Sequence, residues 1–127
     1  MFDSGMHTVL AASDLERAKK WYSEMLGLDP VDEDPYGNLH YEVGDSRFLV
    51  YQSEFAGTNK ATAAGFQVSD FDDVVEKLKA KGVVFEDVDF GELGSTVDGV
   101  ISTPDSNDKA AWIKDSEGNI LSLTTAD

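Results

Sequence analysis

The sequence contains no cysteine, only two histidines, and ten basic residues against 25 acidic ones. Without cysteine there are no disulfides, no thiolate metal sites and no cysteine nucleophile. The formal net charge of −15 creates a field that repels phosphate backbones and anionic lipid. Nucleic-acid and membrane-surface partners are therefore not expected. No apolar run approaches the roughly 18–20 residues of a membrane span. The opening Met1-Phe2-Asp3-Ser4-Gly5-Met6 has neither the basic stretch nor the apolar core that directs secretion. Together with the missing cysteines, this makes the cytoplasm the expected compartment. There is no Gly-x-Ser-x-Gly word and no Walker or dinucleotide glycine pattern, so no serine triad or phosphate cradle is readable.

What is present is enough for a packed core. The chain has 127 residues, 41% of them hydrophobic and 10% aromatic, which fits one domain and argues against a disordered acidic chain. Sixteen of the acids are Asp, and residues 29–34 and 86–92 carry four acids each. This clustering reads as a solvated surface, with attraction of a cationic ligand or partner as the sharper alternative.

An internal repeat organises the rest. Residues 9–28 read VLAASDLERAKKWYSEMLGL and residues 65–85 read GFQVSDFDDVVEKLKAKGVVF. Ser13-Asp14-Leu15 matches Ser69-Asp70-Phe71 at an offset of 56, and Gly27 matches Gly82 at 55. Each copy reads as strand, cap, helix and glycine stop. Ser13, with Glu16 three residues on, is the expected first cap, and Ser69 the second. Leu15, Ala18, Tyr22, Met25 and Leu26 share one helical face, as do Phe71, Val74, Val75 and Leu78. Strands are expected over residues 6–12, 39–43 and 47–52, then 83–88, 97–103, 110–114 and 120–124. Residues 115–119, DSEGN, read as a turn, and residues 53–62 as a linker. The pattern is βαβββ twice over, an α+β fold. Module 1 spans about 5–53 and module 2 about 63–125 of a single domain.

These words resemble the vicinal oxygen chelate superfamily of glyoxalases, extradiol dioxygenases, fosfomycin-modifying enzymes and bleomycin-resistance proteins. The resemblance is carried by His7-Thr8-Val9-Leu10, Asp14-Leu15-Glu16-Arg17-Ala18, Trp21-Tyr22, Leu26-Gly27-Leu28, Phe66-Gln67-Val68-Ser69-Asp70, and the run from Lys109 to Ile120. Residues 93–100 are similar to an uncharacterised bacterial subgroup. The resemblance implies two modules forming a curved mixed-sheet cup with helices outside, a small-molecule ligand in the cup, and a homodimer.

Metal-dependent members use about four ligands, which expose a divalent ion as a Lewis acid. The resemblance puts His7 at the first position. It maps the others onto Ala63, Ser122 and, by the closest match, Leu49. One donor of four remains, and no metal or other cofactor is expected. Three readings of His7 stay open: a hydrogen-bonded polar residue of the cup, a surviving ligand of a rebuilt site, and a catalytic acid or base. His40, the other histidine, lies in the neighbouring strand region.

Strand alternation places Val9 and Ala11 on the face of His7, and Arg47 and Tyr51 with Leu49. In module 2 the repeat gives that face to Ala63, Gly65 and Gln67, Ser122 brings Ile120 and Thr124 with it, and the resemblance puts Trp112 on the cup side with Ala110 and Lys114. The candidate ligand-binding residues are thus His7, Leu49, Tyr51, Gln67, Trp112 and Ser122, an apolar and aromatic set with a few polar groups. The leading expectation is a metal-independent binding protein that encloses a hydrophobic or cationic molecule, in the manner of bleomycin-resistance proteins. The alternative is a divergent lyase or dioxygenase, either metal-dependent or using His7 as acid or base.

Overall fold

The computed structural model describes residues 1–126. Module 1 is a four-stranded sheet in the order β1-β4-β3-β2, built from β1 (Thr8–Ala12), β2 (Asp32–Glu33), β3 (Leu39–Val43) and β4 (Ser46–Gln52). Helix α1 (Leu15–Trp21) connects β1 to β2. Module 2 repeats this plan with β5 (Thr62–Val68), α2 (Phe71–Ala80), β8 (Lys109–Lys114) and β9 (Ile120–Thr125), in the order β5-β9-β8. Its outer position is divided between β6 (Val84–Phe85) and β7 (Val100–Ser102), which pair with successive stretches of the same edge of β8. The α+β class and the doubled module follow the sequence pattern.

Alternation explains the core. Leu10 and Ala12 of β1, Leu39 and Tyr41 of β3, and Phe48 and Val50 of β4 point to one side and are buried. Ala18 and Tyr22 cover them from the helix. In module 2 the equivalent set is Ala111, Ile113, Leu121 and Leu123, covered by Phe71, Val75 and Leu78 of α2. The two halves share one core, in which the Phe48 ring meets the Phe66 ring edge-on at 5.8 Å.

The paired modules also agree in register. Val9 pairs with Leu49 as Gly65 pairs with Ser122, and Leu49 pairs with His40 as Ser122 pairs with Trp112. The repeat is broken at two places, each by one residue. Ala63 interrupts the β5–β9 register between Thr62 and Ala64. The drop in repeat offset from 56 to 55 is absorbed after Trp21, where the helix widens into a π-turn over Tyr22–Leu26 before Gly27 closes it at φ 67°.

Several sequence expectations need correction. Asp14, not Ser13, caps α1, accepting from the Arg17 amide. Asp70, not Ser69, precedes α2, with no side-chain cap bond. The first strand begins at Thr8 rather than at residue 6, and Met6 is fully exposed. Of residues 83–88 only Val84–Phe85 forms a strand, and of residues 97–103 only Val100–Ser102. These stretches carry several acids and a left-handed Asp98 at φ 53°, both unfavourable to a regular ladder.

The modules are clamped by two buried carboxylates of the 115–119 turn. Glu117 Oε1 accepts the Ser13 and Asp14 amides at 3.1 and 3.0 Å and Arg17 Nη2 at 2.9 Å. Its Oε2 accepts Arg17 Nε at 2.8 Å and Ser116 Oγ at 2.7 Å. Burial by itself raises this carboxyl, but the Arg17, Ser116 and Asp14 bonds outweigh it and hold the pKa at about 2. Asp115 accepts the Tyr22 hydroxyl at 2.6 Å, while Asn119 Nδ2 donates to the Ala11 carbonyl of β1 at 2.8 Å. The excess acidity is therefore not wholly a surface property, since these two carboxylates hold the two modules together.

Candidate functional site

The face of each sheet away from its helix carries the candidate residues. In module 1 the register lines up Val9, Leu49, His40 and Asp32 across four strands. Val9 and Tyr51 remain about half exposed, at 51% and 40%, so this face is open to solvent at both residues. Alternation within β3 puts His40 on the same face as His7, Leu49 and Arg47. All four line one cavity of about 340 Å³ together with Glu42 and Asp32.

His40 is fixed by its loop. Its Nε2 lies 2.8 Å from Asp34 Oδ2, and Asp34 also accepts the Tyr36 and Asn38 amides. The His40 bond is the main cause, followed by the Asn38 bonds, of an Asp34 carboxyl held below the usual range. Arg47 meets Glu42 at 3.5 Å. The open face of module 1 is thus apolar in the middle and acidic towards its outer strand.

In module 2 the matching row is Gly65, Ser122 and Trp112. A side chain at Gly65 would place its Cβ 2.7 Å from Ser122 Oγ, so a larger residue here requires the Ser122 side chain to turn away. Trp112 is half-buried, with Phe90 from the acidic 86–92 segment tilted over it at 5.6 Å between ring centres. Gln67 borders a third region, a cleft of about 710 Å³ where Thr8 and Arg47 of module 1 face Gly65 and Thr124 of module 2.

The six candidates therefore fall into groups. His7 and Leu49 share one cavity, Gln67 lines the cleft between modules, and Trp112 and Ser122 are cross-strand neighbours. Tyr51, Trp112 and Ser122 line neither of these two cavities. The sequence alone does not set which face of its strand His40 occupies. The register with Leu49 settles it, and the length of the 44–45 turn was the available signal.

The four positions where a chelating site is implied hold an imidazole, an isobutyl group, a methyl group and a hydroxyl, from His7, Leu49, Ala63 and Ser122. That donor set does not fit a divalent ion, which needs several nitrogen or carboxylate ligands converging on one point. Among the described residues no three His, Asp or Glu side chains converge in this way. Among the described residues no helix is long and apolar enough to cross a membrane.

Comparison with solved structures gives the same architecture. The lactoylglutathione lyase of Agrobacterium tumefaciens superposes with a TM-score of 0.70 at 17% identity, covering 99% of this chain and 96% of that one. A variant of the fosfomycin resistance protein FosX from Listeria monocytogenes, complexed with Mn(II) and 1S,2S-dihydroxypropylphosphonic acid, gives 0.66 at 15% identity, with coverages of 96% and 90%. An integron cassette protein from the Halifax Harbour sewage outfall metagenome gives 0.69 at 16% identity, with coverages of 98% and 100%. At these identities the likeness concerns the fold. No curated protein matches the sequence. The pattern of one family matches residues 6–122, nearly the whole chain, and with the doubled module described above it shows that the protein belongs to the Glyoxalase/Bleomycin resistance protein/Dioxygenase superfamily.

Proposed function

We propose that the protein binds a small aromatic or otherwise apolar cation on the open faces of its sheets, without a metal ion. The observation that carries this reading is the row of exposed Val9, half-buried Leu49 and exposed Tyr51, with Asp32 and Glu42 lining the cavity beside Leu49 and no cluster of metal donors there among the described residues. Apolar side chains remove the ligand's rings from water, while the carboxylates and the net charge of −15 attract its positive group. Because Asp32 and Glu42 are exposed, the electrostatic part weakens as salt shortens the Debye length below about 10 Å. His7 and His40 supply polar groups at the edge of the apolar row.

A single chain leaves this row open on one side. We therefore read the working form as a homodimer in which a second copy helps to close the cup. Light scattering after gel filtration tests this, with a mass near twice that of one chain expected.

The ligand class is tested by a thermal-shift screen of aromatic cations against their neutral isosteres. A ligand present at 100 times its Kd stabilises by about 2.7 kcal/mol, or about 10 °C for a domain of this size. The shift is expected for cations, to fall in 0.5 M salt (roughly a 4 Å Debye length), and to disappear in Tyr51→Ala. A broad screen with no shift for any aromatic or cationic compound refutes the reading. The lyase or dioxygenase alternative rests on His7, which is exposed in the cavity beside His40, and it requires turnover that is lost in His7→Ala.

A further inference from the structure

A second site lies between the two helices. We propose that the groove under the π-turn binds a medium-chain monocarboxylate, with its tail among apolar side chains and its carboxylate at Lys81. The groove has a volume of about 320 Å³ and is bounded by Met25, Leu26 and Leu28 on one side and by Val74 and Leu78 of α2 on the other. Its floor is formed by Phe66 and Leu123, and Gln67 lies at the edge it shares with the cleft between modules. It has no lining residue in common with the cavity of His7 and Leu49 proposed above for the cation.

Three independent observations support a ligand here. First, the π-turn over Tyr22–Leu26 is where the two repeats differ in length, and it sets Met25 and Leu26 along the groove. Such turns are rare and frequently lie at functional sites. Second, the charge is opposite to that of the rest of the molecule. Lys77 and Lys81, two of only ten basic residues, lie on the rim. Lys81 Nζ donates only to the Glu24 and Met25 carbonyls, at 3.1 and 3.4 Å, and makes no ion pair among the described residues. Lys77 is held by Asp73 at 2.9 Å in a pair whose side chains are 70% and 60% exposed, a weak arrangement that a ligand carboxylate can replace. Third, apart from Gln67 and the two lysines the lining is apolar, which suits an alkyl tail, and octanoate is a short representative of that class.

The test is titration of the full chain with sodium octanoate, followed by amide chemical shifts and calorimetry, with octanol as the uncharged control. The account expects one octanoate per chain, with shifts at Met25, Leu26, Leu28, Val74 and Leu78 and none at Val9, Leu49 or Tyr51. Octanol and Lys81→Gln should each weaken binding about tenfold, the usual size of a charged hydrogen bond. Val74→Phe, which fills the groove, should abolish it. The proposal is overturned by no binding, by equal affinity for octanol and octanoate, or by shifts confined to the open face. The wild-type shift map decides the question even if a variant folds poorly. A failure here leaves the cation reading intact, because that reading rests on the cavity of His7 and Leu49, which is lined by other residues.

Discussion

The clamp between modules allows a quantitative test. Replacing Glu117 with Gln keeps oxygen acceptors for the Ser13 and Asp14 amides but removes the charge that faces Arg17. A carboxyl held at about 2 instead of 4.5 corresponds to about 3 kcal/mol, at about 1.4 kcal/mol per tenfold change in proton affinity. The Arg17 side chain is 52% exposed, so solvent screening reduces the expected loss to about 2 kcal/mol. The native pKa is depressed, so this stability is fully present above pH 4.5 and is lost as pH falls towards 2. Urea unfolding of the wild type and Glu117→Gln at pH 7 should differ by about 2 kcal/mol, and at pH 3.5 by roughly half of that. The other carboxylates titrate in both proteins and cancel. A difference below about 0.5 kcal/mol at pH 7, or one unchanged at pH 3.5, refutes the clamp as the joint between modules.

Other substitutions probe the packing. Gly65→Ala should destabilise by about 1–3 kcal/mol through its clash with Ser122 Oγ, and the added Ser122→Ala should restore most of the loss in denaturant melts. Tyr22→Phe removes the 2.6 Å bond to buried Asp115 and should cost about 1–3 kcal/mol by the same assay. Tyr41→Phe should be neutral or stabilising, because the Tyr41 hydroxyl is buried with no hydrogen-bond partner. A loss above about 1 kcal/mol there points to an ordered water that the hydroxyl needs.

Much of this fold is legible in the sequence because its elements are amphipathic. Phe71, Val74, Val75 and Leu78 recur at helical spacing and all pack on the core. Residues 39–43 alternate strictly, and the strand has those bounds. The cap residues were misjudged because Ser13 and Asp14 are adjacent. The choice was decided by Glu117, more than 100 residues away, which takes the Ser13 hydroxyl and leaves Asp14 to the helix. For the same reason the buried role of Glu117 and Asp115 was not visible in a turn that looks solvent-exposed by composition. The π-turn was present in the sequence only as a one-residue change in repeat offset.

The candidate site was legible by face and not by location. Alternation puts Leu49, Arg47 and Tyr51 together, and Ser122 with Thr124, as the strands place them. It does not say how far the two open faces lie apart or which residues share a cavity, since that depends on how the modules meet at β1 and β5. Only the folded chain brings His7, Leu49 and His40 to one cavity and sends Gln67 to the cleft between modules.

The claim that binding is metal-independent is tested most directly by elemental analysis after reconstitution with zinc, nickel, iron and manganese. The account predicts less than about 0.1 equivalent retained after desalting, because His7 stands at the implied positions without a second donor. One equivalent of any of these metals, lost in His7→Ala, contradicts it.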